Sequence, residues 1–219
     1  MSPKVIIRNT CVSDIKPLIG LQKKIYPTIP SWREDLLQHQ LEVFSQGQLV
    51  AEINGQLVGA ASSLVVSWNE WEVQHTWQEI TARGSFDTHN PHGLTLYAAE
   101  VFVNPHLRGS GIGHALYQER RRLCRRLNLK RIIASGRLPG YHHYSDQMPI
   151  ELYVQKVIWG DIHDPVLSFQ LHEGFNYCGI VSGYIPEDEE SLGYAALIVW
   201  LNPRYNTKKP TLIPEGNIL

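Results

Sequence analysis

Glu100-Val101-Phe102-Val103-Asn104-Pro105-His106-Leu107-Arg108-Gly109-Ser110-Gly111-Ile112-Gly113-His114-Ala115-Leu116 runs from an apolar strand through a glycine-rich turn into the start of a helix. The first N–H groups of a helix lack intrahelical acceptors, and the helix dipole adds partial positive charge at the same end. A junction of this kind binds phosphate. Gly109, Gly111 and Gly113 at alternate positions let a bulky diphosphate approach the backbone, and Arg108 can add a charge-assisted contact. The spacing separates this turn from other glycine-rich phosphate loops. It is not G-x-G-x-x-G, and no Gly-Lys-Ser or Gly-Lys-Thr follows.

Outward from this turn, residues 94–103 form an apolar strand, 110–127 a helix and 129–135 a second apolar strand, which together make a βαβ unit. Arg120, Arg121, Arg122, Arg125, Arg126, Lys130 and Arg131 spread around that helix and its exit, with Leu116, Leu123 and Leu127 inward. The expectation is a solvated basic face from which one or two side chains reach a phosphate. Upstream, Asn54-Gly55 between apolar runs at 48–53 and 56–66 predicts a hairpin, because both central residues of a type I′ turn need positive φ. Residues 4–9 predict a first strand. A helix follows, capped by Thr10 or Ser13 and reaching about Tyr26, with Pro17 in its first turns. Ser31-Trp32-Arg33-Glu34 reads as a capping box for a helix over 32–44 that turns Leu37, Leu41 and Phe44 to one side. Downstream, a helix over 165–173 is stopped by Gly174, and strands follow at 175–181 and 194–201. Two stretches, about 67–93 and 136–164, read as insertions. The first has a helical pattern only at 74–82 and the second a short helix at 149–159. One domain over 1–203 with an extended, proline-rich tail over 204–219 is the expected organisation.

The chain has 219 residues, of which 43% are apolar, enough for a full core; a formal net charge of −1 and a pI near 6.8 provide no field for nucleic acid or an anionic membrane. No apolar stretch approaches the roughly 20 residues of a membrane span, and Met1-Ser2-Pro3-Lys4 runs straight into a strand. The expectation is a soluble cytoplasmic protein with neither a nucleic-acid nor a membrane partner. Cys11, Cys124 and Cys178 have no C-x-x-C spacing and read as reduced thiols packed like small apolar residues. His89-Asn90-Pro91-His92 and His142-His143 lack the carboxylate or cysteine companions of a defined site, so no metal is expected.

Arg108-x-x-Gly111-x-Gly113, after an apolar strand ending Val-x-Pro, resembles motif A of the GNAT N-acetyltransferase superfamily. The order of elements from Val5 to about Leu201 is compatible with that family. The resemblance implies an α/β (α+β) fold: a central mixed, mostly antiparallel sheet of six to seven strands flanked by helices and splayed at the motif A strand. It also implies an acyl-CoA-dependent N-acyltransferase, passing an acetyl group from acetyl-CoA to a primary amine on a small molecule or peptide, without a metal. In the family the strand end, here Val101, Phe102 and Val103, pairs with the pantetheine arm. The diphosphate is held by the turn, here Arg108, Gly109, Ser110, Gly111, Ile112, Gly113 and His114. The thioester lies between the splayed strands, here 94–103 and 129–135. More narrowly, Gln74-His75-Thr76-Trp77, Leu127-Asn128-Leu129-Lys130-Arg131, Arg137-Leu138-Pro139-Gly140-Tyr141 and Asp164-Pro165-Val166-Leu167 are similar to the acetyltransferase module fused ahead of carbon–nitrogen hydrolase domains. That likeness implies a stand-alone version or one with a separate hydrolase partner. Trp and apolar residues in the insertions are compatible with a homodimer.

Family members often place a carboxylate near the motif A strand as base. Glu100 is the nearest candidate; a charged residue in an apolar strand is costly unless paired or functional, so a structural ion pair is its other reading. The family's usual acid is a tyrosine four residues before the glycine that closes the helix over 165–173. The matching position here is Gln170. Tyr144 in the second insertion is then the alternative acid, with Tyr97 on the motif A strand a further candidate, while Tyr141, His142 and His143 are placed to bind the acceptor. Gln170 also motivates a second reading, a CoA-binding regulatory module without transferase activity.

Overall fold

The computed structural model describes residues 4–25 and 31–211. The expected helix end at Tyr26 and the last eight residues of the tail lie outside them. Seven strands, β1 (Val5–Asn9), β2 (Gln48–Ile53), β3 (Gln56–Val66), β4 (Thr95–Val103), β5 (Arg131–Arg137), β6 (Asn176–Val181) and β7 (Ala195–Leu201), form one sheet in the order β1-β2-β3-β4-β5-β7-β6. Every neighbouring pair is antiparallel except β4 and β5. The helices are α1 (Ile15–Ile25), α2 (Glu34–Phe44), α3 (Trp77–Ile80), α4 (Ile112–Arg126), α5 (Ile150–Trp159) and α6 (Leu167–His172). The mixed, mostly antiparallel sheet flanked by helices is as expected from the sequence.

Period-two alternation on the central strands supplies two apolar faces. Leu96, Ala98, Ile132, Ala134, Ala196 and Ile198 pack against Tyr117 and Leu123 of α4, Tyr153 and Val154 of α5 and Leu167 of α6. On the other face Leu64, Val66, Tyr97, Ala99, Ile133, Ala195 and Leu197 meet Ile80, Phe86 and Tyr184. Farther along that sheet, Leu18 and Leu21 of α1 pack on Val50, Ala60 and Phe102. The β2–β3 hairpin turns through Asn54 (φ 50°) and Gly55 (φ 78°), as its dipeptide requires.

Several local expectations are corrected. Neither Thr10 nor Ser13 caps the first helix. Instead Cys11 opens a 3-10 turn, Val12–Asp14, and the Asp14 carboxylate accepts from the Cys11 amide at 2.8 Å and from Arg8. Ser31 does not cap the second helix, which begins at Glu34 after Arg33 with no side-chain cap. Within 67–93 the helix is a single turn, capped by Thr76 and Glu79 and ended by the positive φ of Ala82 and Arg83. Residues 202–211 turn rather than extend, because the Asn128 side chain donates to the carbonyls of Asn206 and Lys209 at 3.0 and 2.9 Å. Of the three thiols, only Cys124 is packed inside.

Two irregularities position the site. β4 and β5 pair only at Thr95–Arg131, Leu96–Ile132 and Tyr97–Ile133, after which β4 continues with β3 and β5 with β7. Between β3 and β4 the register passes from Ser63–Ala98 to Ser62–Glu100, so Ala99 is an extra residue in β4. Such a bulge sharpens the local twist and bends its strand. The result is a wedge that opens between two parallel strands just past Tyr97.

Candidate active site at the strand wedge

At the far end of β4 the Asn104 side chain accepts from the His106 amide at 3.1 Å and starts a 3-10 turn, Pro105–Leu107. Gly109 (φ 78°) and Gly111 (φ 82°) then take left-handed conformations, and Gly111 is the N-cap of α4. Among the described residues no backbone carbonyl accepts from the amides of Gly109, Gly111, Ile112, Gly113 or His114. A Cβ on Gly109 or Gly111 would meet nothing within 4 Å, so these glycines serve backbone conformation and an open approach. Gly113 has a different reason: a Cβ there would come 3.1 Å from the Phe169 ring of α6. Arg108 and Ser110 are exposed and Ile112 is buried. Val101 and Val103 are partly buried, and the Phe102 side chain is buried and packs edge-on to Trp32.

His114 turns away from the loop to Glu173, its Nδ1 lying 2.8 Å from Oε1. The other Glu173 oxygen takes Arg121 at 2.6 Å, with side-chain exposures of 8% and 3% for the pair. The basic face expected on α4 is therefore only partly solvated. Arg120 and Arg121 are buried while Arg122 and Arg126 remain outside, and Arg125 lies over the Trp200 ring. A buried cation survives only with its partners. Glu173→Ala should lower the unfolding free energy by about 3–5 kcal/mol by leaving Arg121 uncompensated. The double replacement Arg121→Met/Glu173→Leu should recover most of that loss in urea melts at pH 7.

Glu100 sits on β4 just beyond the bulge. Burial pushes its carboxyl up to about 7, against the opposing effects of Arg137, the Val101 amide and Arg120. A carboxyl in that range is half ionised near neutral pH, as a general base requires. Arg137 at the end of β5 is itself held by Asp188 and Glu190 of the loop between β6 and β7.

Tyr97 lies fully buried where the wedge begins, its hydroxyl 3.0 Å from His75 Nε2, 2.8 Å from the Tyr184 hydroxyl and 3.4 Å from Ser135 Oγ. Burial raises the Tyr97 phenol to about 12 and lowers the His75 pKa, so both are neutral at pH 7. Tyr144 is half-buried against the Tyr153 ring, and Tyr141 is buried with its hydroxyl donating to the Met148 carbonyl at 3.3 Å. Both belong to the layer that carries α4 to α6, whereas Tyr97 faces the opposite side of the sheet. His142 and His143 are exposed, and the His142 amide donates to the Glu190 carbonyl. The structure thus gathers Glu100, Tyr97 and the 108–114 turn along β4. No hydrogen bond or ring contact among the described residues joins Tyr144 to Glu100.

Gln170 is buried, and its Nε2 donates to the Tyr117 hydroxyl of α4 at 3.2 Å. Its Oε1 has no partner and packs against Gly136 of β5. A phenol therefore stands beside the position where the family carries its tyrosine, brought there from another helix. Only its place next to inward-facing Leu116 could have signalled this. Among the described residues no group of three His, Cys, Asp or Glu side chains could hold a metal, and no helix is long and apolar enough to cross a membrane.

A parallel strand pair that parts beside a half-buried carboxylate and leads into a helix start with unpaired amides is the arrangement of the GNAT fold. Comparison with known proteins agrees. The acetyltransferase (GNAT) family matches residues 17–148. The chain is 45% identical over 202 residues to the probable hydrolase YhcX of Bacillus subtilis (strain 168), covering 92% of this chain and 39% of that protein. It is 39% identical over 203 residues to the uncharacterized N-acetyltransferase YkwB of the same strain, covering 91% and 89%. A GNAT-like decarboxylase, GphF, solved in complex with isobutyryl-CoA, shares the fold with a TM-score of 0.77 at 23% identity, covering 90% of this chain and 99% of that one. The protein belongs to the GNAT acetyltransferase family.

Proposed function

We propose that this protein transfers an acetyl group from acetyl-CoA directly to a primary amine on a small molecule or a peptide. The observation that carries this reading is the parting of β4 and β5 after Tyr97 and Ile133, with Glu100 on the parted strand and the 108–114 turn at its end. The open space and unpaired amides at that turn fit a diphosphate. The solved complex of a same-fold protein with isobutyryl-CoA supports a CoA thioester as the ligand. The β4–β5 pairs end at Tyr97–Ile133, and Val101, Phe102 and Val103 lie on β4 beyond that point, where we place the pantetheine arm.

In the transfer, the amine nitrogen attacks the thioester carbonyl, a C–N bond forms and the C–S bond breaks. Glu100 takes the proton from the attacking amine, which its near-neutral pKa permits. The departing thiolate takes a proton from a tyrosine hydroxyl. Tyr117, kept protonated by burial and steered by Gln170, is the favoured donor, with Tyr97 and Tyr144 as the alternatives. Tyr141, His142 and His143 line the acceptor side in this proposal. Residues 1–203 are its working unit, in the cytoplasm, where the three free thiols stay reduced. A homodimer or a separate hydrolase partner would complete the assembly.

The test is acetyl-CoA with a panel of amines, read as free-thiol release and product mass. Acetylated amine from the wild type is the expected result, with kcat about 10- to 100-fold lower in Tyr117→Phe. The same loss in Tyr97→Phe or Tyr144→Phe instead would reassign the acid. Tight binding of acetyl-CoA without turnover on any amine would favour the second reading, a CoA-binding regulatory module, which the replacement of the usual tyrosine by Gln170 motivates.

A further inference from the structure

Arg120 of α4 is 1% exposed, yet no carboxylate among the described residues lies within ion-pairing distance of it. Its partners are neutral groups: Nε donates to Ser63 Oγ at 3.0 Å and Nη2 to the carbonyls of Ser62 at 3.2 Å and Glu100 at 2.6 Å, while the guanidinium lies 5.3 Å from the centre of the Tyr117 ring. Ser62 and Ser63 stand opposite the extra residue in β4, where the register shifts. From the other face of the sheet Trp77 Nε1 donates to the carbonyl of Ala99, the bulged residue itself, at 3.1 Å. The polar groups that the bulge disturbs are thus tied from both sides, by an arginine on one and a tryptophan on the other.

Stabilising a bulge needs a donor, not a buried charge. A full charge withdrawn from water is expensive, and a neutral donor such as Trp77 does the same on the other face. What the charge adds is its field, which acts on Tyr117 and on the Glu100 carboxyl. We propose that Arg120 is a positioning residue for the transfer: it clamps the β4 bulge beside which Glu100 stands at the wedge. This rests on the reading of Glu100 as the base.

The groups that act on the Glu100 carboxyl come from three elements. They are Arg120 of α4, Arg137 of β5 and the Tyr184 hydroxyl of the loop before β7. β3 contributes only the serines, and the 67–93 segment the neutral Trp77. Arg137 acts on the carboxyl more strongly, though it is also held by Asp188 and Glu190, whereas Arg120 has no carboxylate within ion-pairing distance among the described residues. Removing Arg120 should therefore raise the Glu100 pKa and shift the acid limb of the kcat/KM profile to higher pH.

The experiment compares wild type, Arg120→Met and Arg120→Lys by two readouts. One is the carboxyl carbon-13 titration of Glu100 in protein labelled at glutamate, its signal assigned by its loss in Glu100→Gln. The other is the pH profile of kcat/KM. An upward shift in Arg120→Met that Arg120→Lys largely reverses supports the proposal. An unmoved titration in folded Arg120→Met overturns it. If the titration moves and the pH profile does not follow, the clamp stands and the assignment of Glu100 as base falls. Should Arg120→Met not fold, Ser63→Ala removes only the Nε acceptor: a smaller shift of the same sign supports the clamp, and no shift overturns it.

Discussion

Glu100→Gln should lower kcat/KM about 10²- to 10⁴-fold and at the same time make the protein more stable above pH 7. The first effect follows from removing the one carboxyl at the wedge poised near neutrality. The second follows from linkage. The folded-state pKa of about 7 lies above the ordinary value of 4.5, so the unfolded chain loses this proton first. Stability contributed by the protonated form is present below about pH 4.5, falls as pH rises toward 7 and stays lost above it. Glutamine does not ionise and escapes that loss. With some exposure left to the side chain, the gain at pH 8 is on the order of 1–3 kcal/mol, and close to zero at pH 4. For a chain of this length it should appear as a rise of several degrees in Tm at pH 8. Retained activity in the variant would remove Glu100 from the mechanism. Lost activity with equal Tm at both pH values would keep the role and deny the raised pKa.

The second large effect is expected at the helix start. Arg108→Ala combined with Gly111→Val should weaken acetyl-CoA binding at least 100-fold in calorimetric titration while shifting Tm by only a few degrees. Valine at φ 82° is strained for a β-branched residue, so the turn must rearrange and its amides no longer converge. Loss of Arg108 removes a charge-assisted contact. Because nothing lies within 4 Å of a Cβ at Gly111, the damage should stay local. Gly113→Ala provides the contrast, since its new methyl meets Phe169 and should disturb the packing of α4 on α6 before it affects the ligand. Unchanged affinity in the double variant would mean that the diphosphate is held elsewhere.

The turn at 108–114 was legible from the chain because everything it needs is local: an apolar strand, glycines at positive φ and a helix start within seventeen consecutive residues. The same is true of the Asn54-Gly55 hairpin and the alternating apolar faces. The burial of Arg120 and Arg121 is not legible in the chain. Helical spacing tells which side a residue occupies, but Arg120 and Arg121 find their oxygens on β3, β4 and the end of α6, far along the chain.

What the amino-acid order determined alone is the set of elements, their apolar faces and the glycine-rich turn at 108–114, since these depend on neighbours a few residues apart. Tertiary structure alone decided the bulge at Ala99, the separation of β4 from β5 beyond Tyr97, the pKa of Glu100 and the meeting of Tyr117 with Gln170. Each of these depends on groups from distant segments sharing a buried space. There a charge is costly and each polar atom must find its partner wherever the fold provides one.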